Sequence, residues 1–237
     1  MELETVVRSL ALAAVLTSGA AFAQDFAYDR AEEEPEDEVI VPAQLSLALR
    51  DTPREAPEPV PDDPSYLPAI PILVDGVKYT ARELREKDIH LSHYVVDAYA
   101  ESFGGMLGFR TTDDLTAYFH ATGQFPSEKP TAARGAAFCW AASTFHEHES
   151  YVGSYLGLSP GLGFSYVGSR MNDRITSVKS TPCGSWTVLF EHSSFRGYSL
   201  WLRGGTNVPR LAVYGWYTGP VFWSWWNDRA SSVLVYW

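Results

Sequence analysis

The chain has 237 residues, 46% of them hydrophobic, and a formal net charge of −11. That length holds one or two small domains. The overall acidity argues against nucleic acid as a partner, because phosphate backbones are held by clustered Lys and Arg.

Taken in order, residues 1–23 read as a secretory signal. Ser9 to Phe22 are apolar or small, and Ala21-Phe22-Ala23 forms an A-x-A cleavage site before Gln24. The run is too short and Ala-rich for a membrane span, and no other segment reads as one. The expected location is secreted or periplasmic. Residues 24–65 follow as an acidic, Pro-rich segment. Asp25 to Pro64 carries 13 acidic residues against three arginines, a net of −10, so nearly all of the chain's charge lies here. Such a segment repels itself and is expected to be disordered. Its one apolar patch, Val39 to Leu49, is a candidate for transient docking.

Residues 66–130 read as a small α+β module. Val74 to Tyr79 suggests a hairpin around Asp75-Gly76. Thr80 to Lys87 suggests a short helix, and His93 to Asp97 and Met106 to Phe109 suggest strands. Thr111 to Asp114 caps a helix that places Leu115, Tyr118 and Phe119 on one side. Asp75, Asp97 and His93 are expected at the surface or in turns. No chemistry attaches to this module.

Residues 131–237 carry eight bases against five acids, and they contain an internal repeat. Asn172-Asp173-Arg174-Ile175-Thr176-Ser177 is answered by Asn227-Asp228-Arg229-Ala230-Ser231-Ser232, each followed by Val. Upstream, Glu147-His148 and Gly153 are matched 44 residues later by Glu191-His192 and Gly197, and the same offset relates Cys139 to Cys183. Fixed-offset similarity of this kind marks duplicated structural units. Thr187 to Phe190 and Val233 to Tyr236 are of strand length and composition, and four strands per half fit a Greek key. Two cysteines in an exported chain suggest one disulfide, Cys139–Cys183, with two separate thiols as the alternative. Closing that loop is worth about 4 kcal/mol on a chain-entropy estimate.

Phe190 followed by Gly197, and then the doubled Asn-Asp-x-x-Ser/Thr-Ser box, resembles the βγ-crystallin family, most of all its microbial calcium-binding branch. The resemblance covers about residues 137–237. It departs where His146 takes the register of Phe190, and where the second half has eleven more residues between its glycine and its box, a surplus assigned to Pro209 to Gly219. The fold it implies is mainly β: two Greek keys packed as a sandwich, preceded by the α+β module and the acidic segment. It also implies a non-enzymatic protein that clamps two Ca2+ ions between the motifs. Asp173 and Ser231 would share one ion with the Glu147 carbonyl, and Asp228 and Thr176 the other with the Glu191 carbonyl. Asn172, Asn227, Arg174 and Arg229 complete the boxes, the arginines as charges able to weaken the sites.

Other readings stand beside this one. The boxes are alternatively pure turn chemistry, and His146, His148 and His192 are a weaker zinc candidate. A secreted metalloproteinase inhibitor acting through the surplus loop would make an extracellular protease the partner. Glycan binding through Trp216, Tyr217 and Trp223 is a third possibility. There is no G-x-S-x-G elbow and no phosphate-binding glycine loop.

Overall fold

The computed structural model describes residues 39–40, 70–127, 141–219 and 222–237, the side chains of 39–40 and 216–224 excepted. The expected signal, most of the acidic segment, Cys139 and the side chains of Trp216, Tyr217 and Trp223 lie outside the described residues. No described helix is long and apolar enough to cross a membrane.

The first described pieces are β1 (Val39–Ile40), β2 (Ile72–Val74) and β3 (Val77–Tyr79). Asp75 and Gly76, at φ 50° and 78°, make the tight turn between the last two. Helix α1 (Ala81–Glu86) follows, closed at its start by a capping box between Thr80 and Glu83. Next come β4 (His93–Val96), α2 (Ala98–Ser102), β5 (Met106–Phe109) and α3 (Thr112–Thr122), which Thr111 caps. His93 and Asp97 depart from their expected surface positions. Asp97 is buried as the N-cap of α2, accepting from the Tyr99 and Ala100 amides at 3.0 and 2.9 Å. His93 is buried between Ser199, 2.8 Å from its Nδ1, and Thr112, 3.1 Å from its Nε2.

The repeated region supplies β6 (Ser143–His148), β7 (Val152–Leu158), β8 (Leu162–Phe164) and β9 (Ser177–Lys179) from its first half. The second half supplies β10 (Trp186–His192), β11 (Arg196–Arg203) and β12 (Asn207–Val208), an inserted hairpin of β13 (Gly215–Gly219) and β14 (Phe222–Trp225), and β15 (Ser232–Val235). The halves exchange one strand each. One sheet runs β12-β9-β6-β7, and β8 joins β15-β10-β11 in the other. That reciprocal exchange is what makes the two Greek keys one sandwich, and it brings the two boxes together.

The second sheet does not end at β11. Its order is β1-β8-β15-β10-β11-β4-β5-β2-β3, with β4 parallel to β11 from Ser199↔His93 to Leu202↔Val96. Residues 70–127 therefore extend the sandwich sheet. Side chains alternate across it. Leu189, Leu200, Val233 and Val235 face a core shared with Phe145, Ile175 and Val178 of the first half. Val188, Trp201 and Leu234 face the opposite way, into a second core under α3. There Phe119 lies 5.2 Å from both Trp186 and Trp201, ring centre to ring centre.

The surplus of the second half sits later than its sequence position suggests. The Ser150 and Ser194 amides donate to Pro209 and Ser165, and the Leu211 and Val167 amides to Thr176 and Ser231. Pro209 to Leu211 are thus counterparts of Ser165 to Val167. The extra residues come after Leu211, as a 3₁₀ turn and the β13–β14 hairpin, whose first strand lies against α1.

Candidate functional site

Each half of the repeat builds the same two local structures. Ser150, Tyr151 and Gly153 have φ of 58°, 65° and 83°, and Ser194, Phe195 and Gly197 have 58°, 56° and 79°. Two consecutive non-glycine residues in the left-handed region are costly, and the last serine of each box clasps them. The Ser177 hydroxyl donates to the His148 carbonyl (2.6 Å) and accepts from the Tyr151 amide (3.1 Å). Ser232 does the same for His192 (2.6 Å) and Phe195 (3.0 Å).

Each box turns on its aspartate. Asp173 and Asp228 have φ of 53° and 54°, a region that Asp tolerates better than most residues. The preceding asparagine donates from Nδ2 to the aspartate at 2.7 Å in both copies. Its other amide atom, Oδ1, is buried without a hydrogen-bond partner in both Asn172 and Asn227. The boxes are also tied crosswise: the Asp228 amide donates to the Ile175 carbonyl (3.1 Å) and the Asp173 amide to the Ala230 carbonyl (3.4 Å).

This exchange places Asp228 beside Thr176, and Asp173 beside Ser231. The Thr176 hydroxyl lies 2.7 Å from the Glu147 carbonyl, 3.1 Å from Asp228 Oδ1 and 3.4 Å from the Arg174 carbonyl. One hydroxyl proton faces three acceptors there. On the other side Asp173 hydrogen-bonds Ser231 and interacts electrostatically with Glu191. The Glu147 carbonyl thus lies with Thr176 and Asp228, where the expectation had placed it with Asp173 and Ser231. The reason is chain direction: the Thr176 amide donates to the His146 carbonyl, which brings the next carbonyl, that of Glu147, to the threonine of its own half. A cleft of about 520 Å³ opens at this point, lined by Glu147, Asp173, Arg174, Thr176 and Asp228 among others.

The electrostatics are those of an acid-rich cleft. Burial pushes the Asp173 and Asp228 carboxyls above the ordinary range, against the pull of Arg229 on Asp173 and of the Thr176 hydrogen bond on Asp228. Burial also raises Glu191. Glu147 is lowered, first by its hydrogen bond to Ser154, with Arg174 adding to the effect. The Arg174 guanidinium pairs with the Glu147 carboxylate, leaving the Glu147 carbonyl to Thr176. Arg210 and Glu149, not anticipated from sequence, form an ion pair of 2.9 Å beside this cleft.

The described residues contain no cluster of three or more His, Cys, Asp or Glu side chains able to hold a metal. The zinc candidate divides: His146 is buried and stacks on Tyr155, and a bulge separates it from exposed His148. Cys183 lies among the described residues and its expected partner Cys139 outside them.

No protein-family model and no curated protein matches the chain. Among solved structures, a beta gamma crystallin from Ciona intestinalis is 20% identical, covering 40% of this chain and 99% of its own, with a TM-score of 0.32. A betagamma-crystallin domain from Clostridium beijerinckii is 27% identical, covering 40% and 97%, with a TM-score of 0.26. A clostrillin double mutant solved in complex with nickel is 28% identical, covering 40% and 98%, with a TM-score of 0.28. By its exchanged strands, clasped hairpins and crossed boxes, the region from β6 to β15 is a double Greek-key domain resembling the βγ-crystallins.

Proposed function

We propose that this is an exported, non-enzymatic calcium-binding protein, with Cys139–Cys183 as its disulfide and an extracellular or envelope structural role. The observation that carries the reading is the convergence of hard oxygens from both boxes around Thr176. Calcium takes six to eight oxygen ligands, mixing carboxylate, carbonyl, hydroxyl and water. Asp228, Thr176 and the Glu147 carbonyl are such a set, short of protons. The two buried, unpartnered Asn Oδ1 atoms add to the acceptor surplus. Asp173 and Ser231, with Glu191 nearby, would form the second site. Arg174 and Arg229 moderate the affinity, since each adds positive charge near a site with one aspartate.

The gain would be ligand-linked stability. An ion that binds only the folded chain adds about 2.7 kcal/mol at a hundredfold excess over its Kd. Calorimetry of the chelator-stripped full chain with calcium tests this, paired with a thermal melt. Two binding events, one lost in Asp173→Ala and one in Asp228→Ala, and a raised melting temperature are expected. No heat and no shift would leave the boxes as turns.

A further inference from the structure

We infer that the eleven-residue surplus of the second half connects the Thr176–Asp228 site to helix α1, so that cation binding there and the order of α1 are coupled. This rests on the calcium reading above and goes beyond it, because the surplus and α1 lie outside the repeated pattern of hairpin and box.

Both ends of the surplus meet one site, the start by a hydrogen bond and the end by running directly into Asn227 and Asp228. At its start the Leu211 amide donates to the Thr176 carbonyl at 2.8 Å, and Arg210 pairs with Glu149 beside the cleft. At its end the Trp226 amide donates to the Tyr214 carbonyl at 2.8 Å. Trp226 is fully buried, and the next two residues are Asn227 and Asp228. Between these anchors β13 and β14 pair from Gly215↔Trp225, and β13 runs against α1. The Ser231 site has no such connection. There Val167 is anchored in the equivalent way, on the Ser231 carbonyl at 3.0 Å, and the chain reaches Asn172 with no hairpin between.

A cation held by Thr176 and Asp228 would fix both anchors at once, and with them the pose of β13 on α1. Coupling of this kind is reciprocal: whatever binding does for α1, α1 must do for binding. The same ion at the Ser231 site has no equivalent path. The two sites are therefore inequivalent, although their ligand types are nearly the same.

Hydrogen exchange on the full chain, in chelator and in calcium, tests this. Calcium should slow exchange across residues 80–90 and leave α3 at 112–122 unchanged. Asp228→Ala should abolish the protection and Asp173→Ala should retain it. Thr80→Ala removes the α1 capping box at a residue that lines neither site, and it should weaken only the Asp228-dependent binding event, by about tenfold. Calcium heat without protection at 80–90 would overturn the coupling alone, as would equal effects of the two aspartate variants on that segment. Absence of calcium heat in the unmodified chain would remove both the coupling and the reading beneath it.

Discussion

Replacing Ser232 with alanine tests how the repeat holds its hairpins. The Ser232 hydroxyl is buried, donates to the His192 carbonyl at 2.6 Å and accepts from the Phe195 amide at 3.0 Å. Each lost hydrogen bond costs about 1 kcal/mol net, and a buried group left unpaired costs about 1–3 kcal/mol. The hairpin it clasps holds Ser194 and Phe195 at φ 58° and 56°, at about 1–2 kcal/mol per residue. Relaxation of that strain limits the loss, so Ser232→Ala should destabilise by about 2–4 kcal/mol. Urea unfolding in chelator reads this without any ion contribution. Ser177→Ala removes the same two bonds in the first half and should lose a similar amount. A loss below about 0.5 kcal/mol, the range of an ordinary surface change, would mean that the serine does not hold the hairpin.

Three further outcomes follow from particular side chains. His146 is held below the ordinary His range by burial and then by the charge of Lys179, and its Nδ1 is buried without a partner. Its contribution to stability is present above about pH 6.5 and is lost as pH falls from that unfolded-state value through the lower folded-state one, because the unfolded chain takes up the proton first. His146→Phe, which installs the residue found at Phe190, should flatten melting temperature against pH below about 6.5. Asp97→Ala strips two α2 amides and the Tyr118 hydroxyl of their acceptor. It should cost about 3 kcal/mol by denaturant unfolding. It should also bring down the Tyr118 ionisation, which burial and then the Asp97 bond now raise, as read by ultraviolet titration. Gly204→Ala would drive a methyl into the Gly184 carbonyl. The backbone must move, so a loss of about 1–3 kcal/mol is expected from a thermal melt.

The boxes and hairpins were legible in the sequence because both rest on residue types that the backbone demands. Asp173, Asp228, Gly153 and Gly197 all occupy positive φ, and the serines that clasp the hairpins recur at the same place in each copy. The Asp75-Gly76 turn and the Thr80 and Thr111 caps were legible for the same reason. Which carbonyl meets which hydroxyl was not, because it depends on the register of β9 against β6, and no local pattern records that. The parallel seam between β4 and β11 was also missed, although the composition carried a signal for it. β6, Ser-Thr-Phe-His-Glu-His, is mixed in burial, with Thr144 and Glu147 half-buried and His148 exposed. β10 begins Trp-Thr-Val-Leu-Phe, and all five residues are buried. A strand apolar without alternation is covered on both faces, and a two-sheet sandwich alone covers only one. Something else had to lie over Trp186, Val188 and Trp201. The amphipathic helix with Leu115 and Phe119 on one side was the piece of this chain with an apolar face still to bury, and α3 is what lies there.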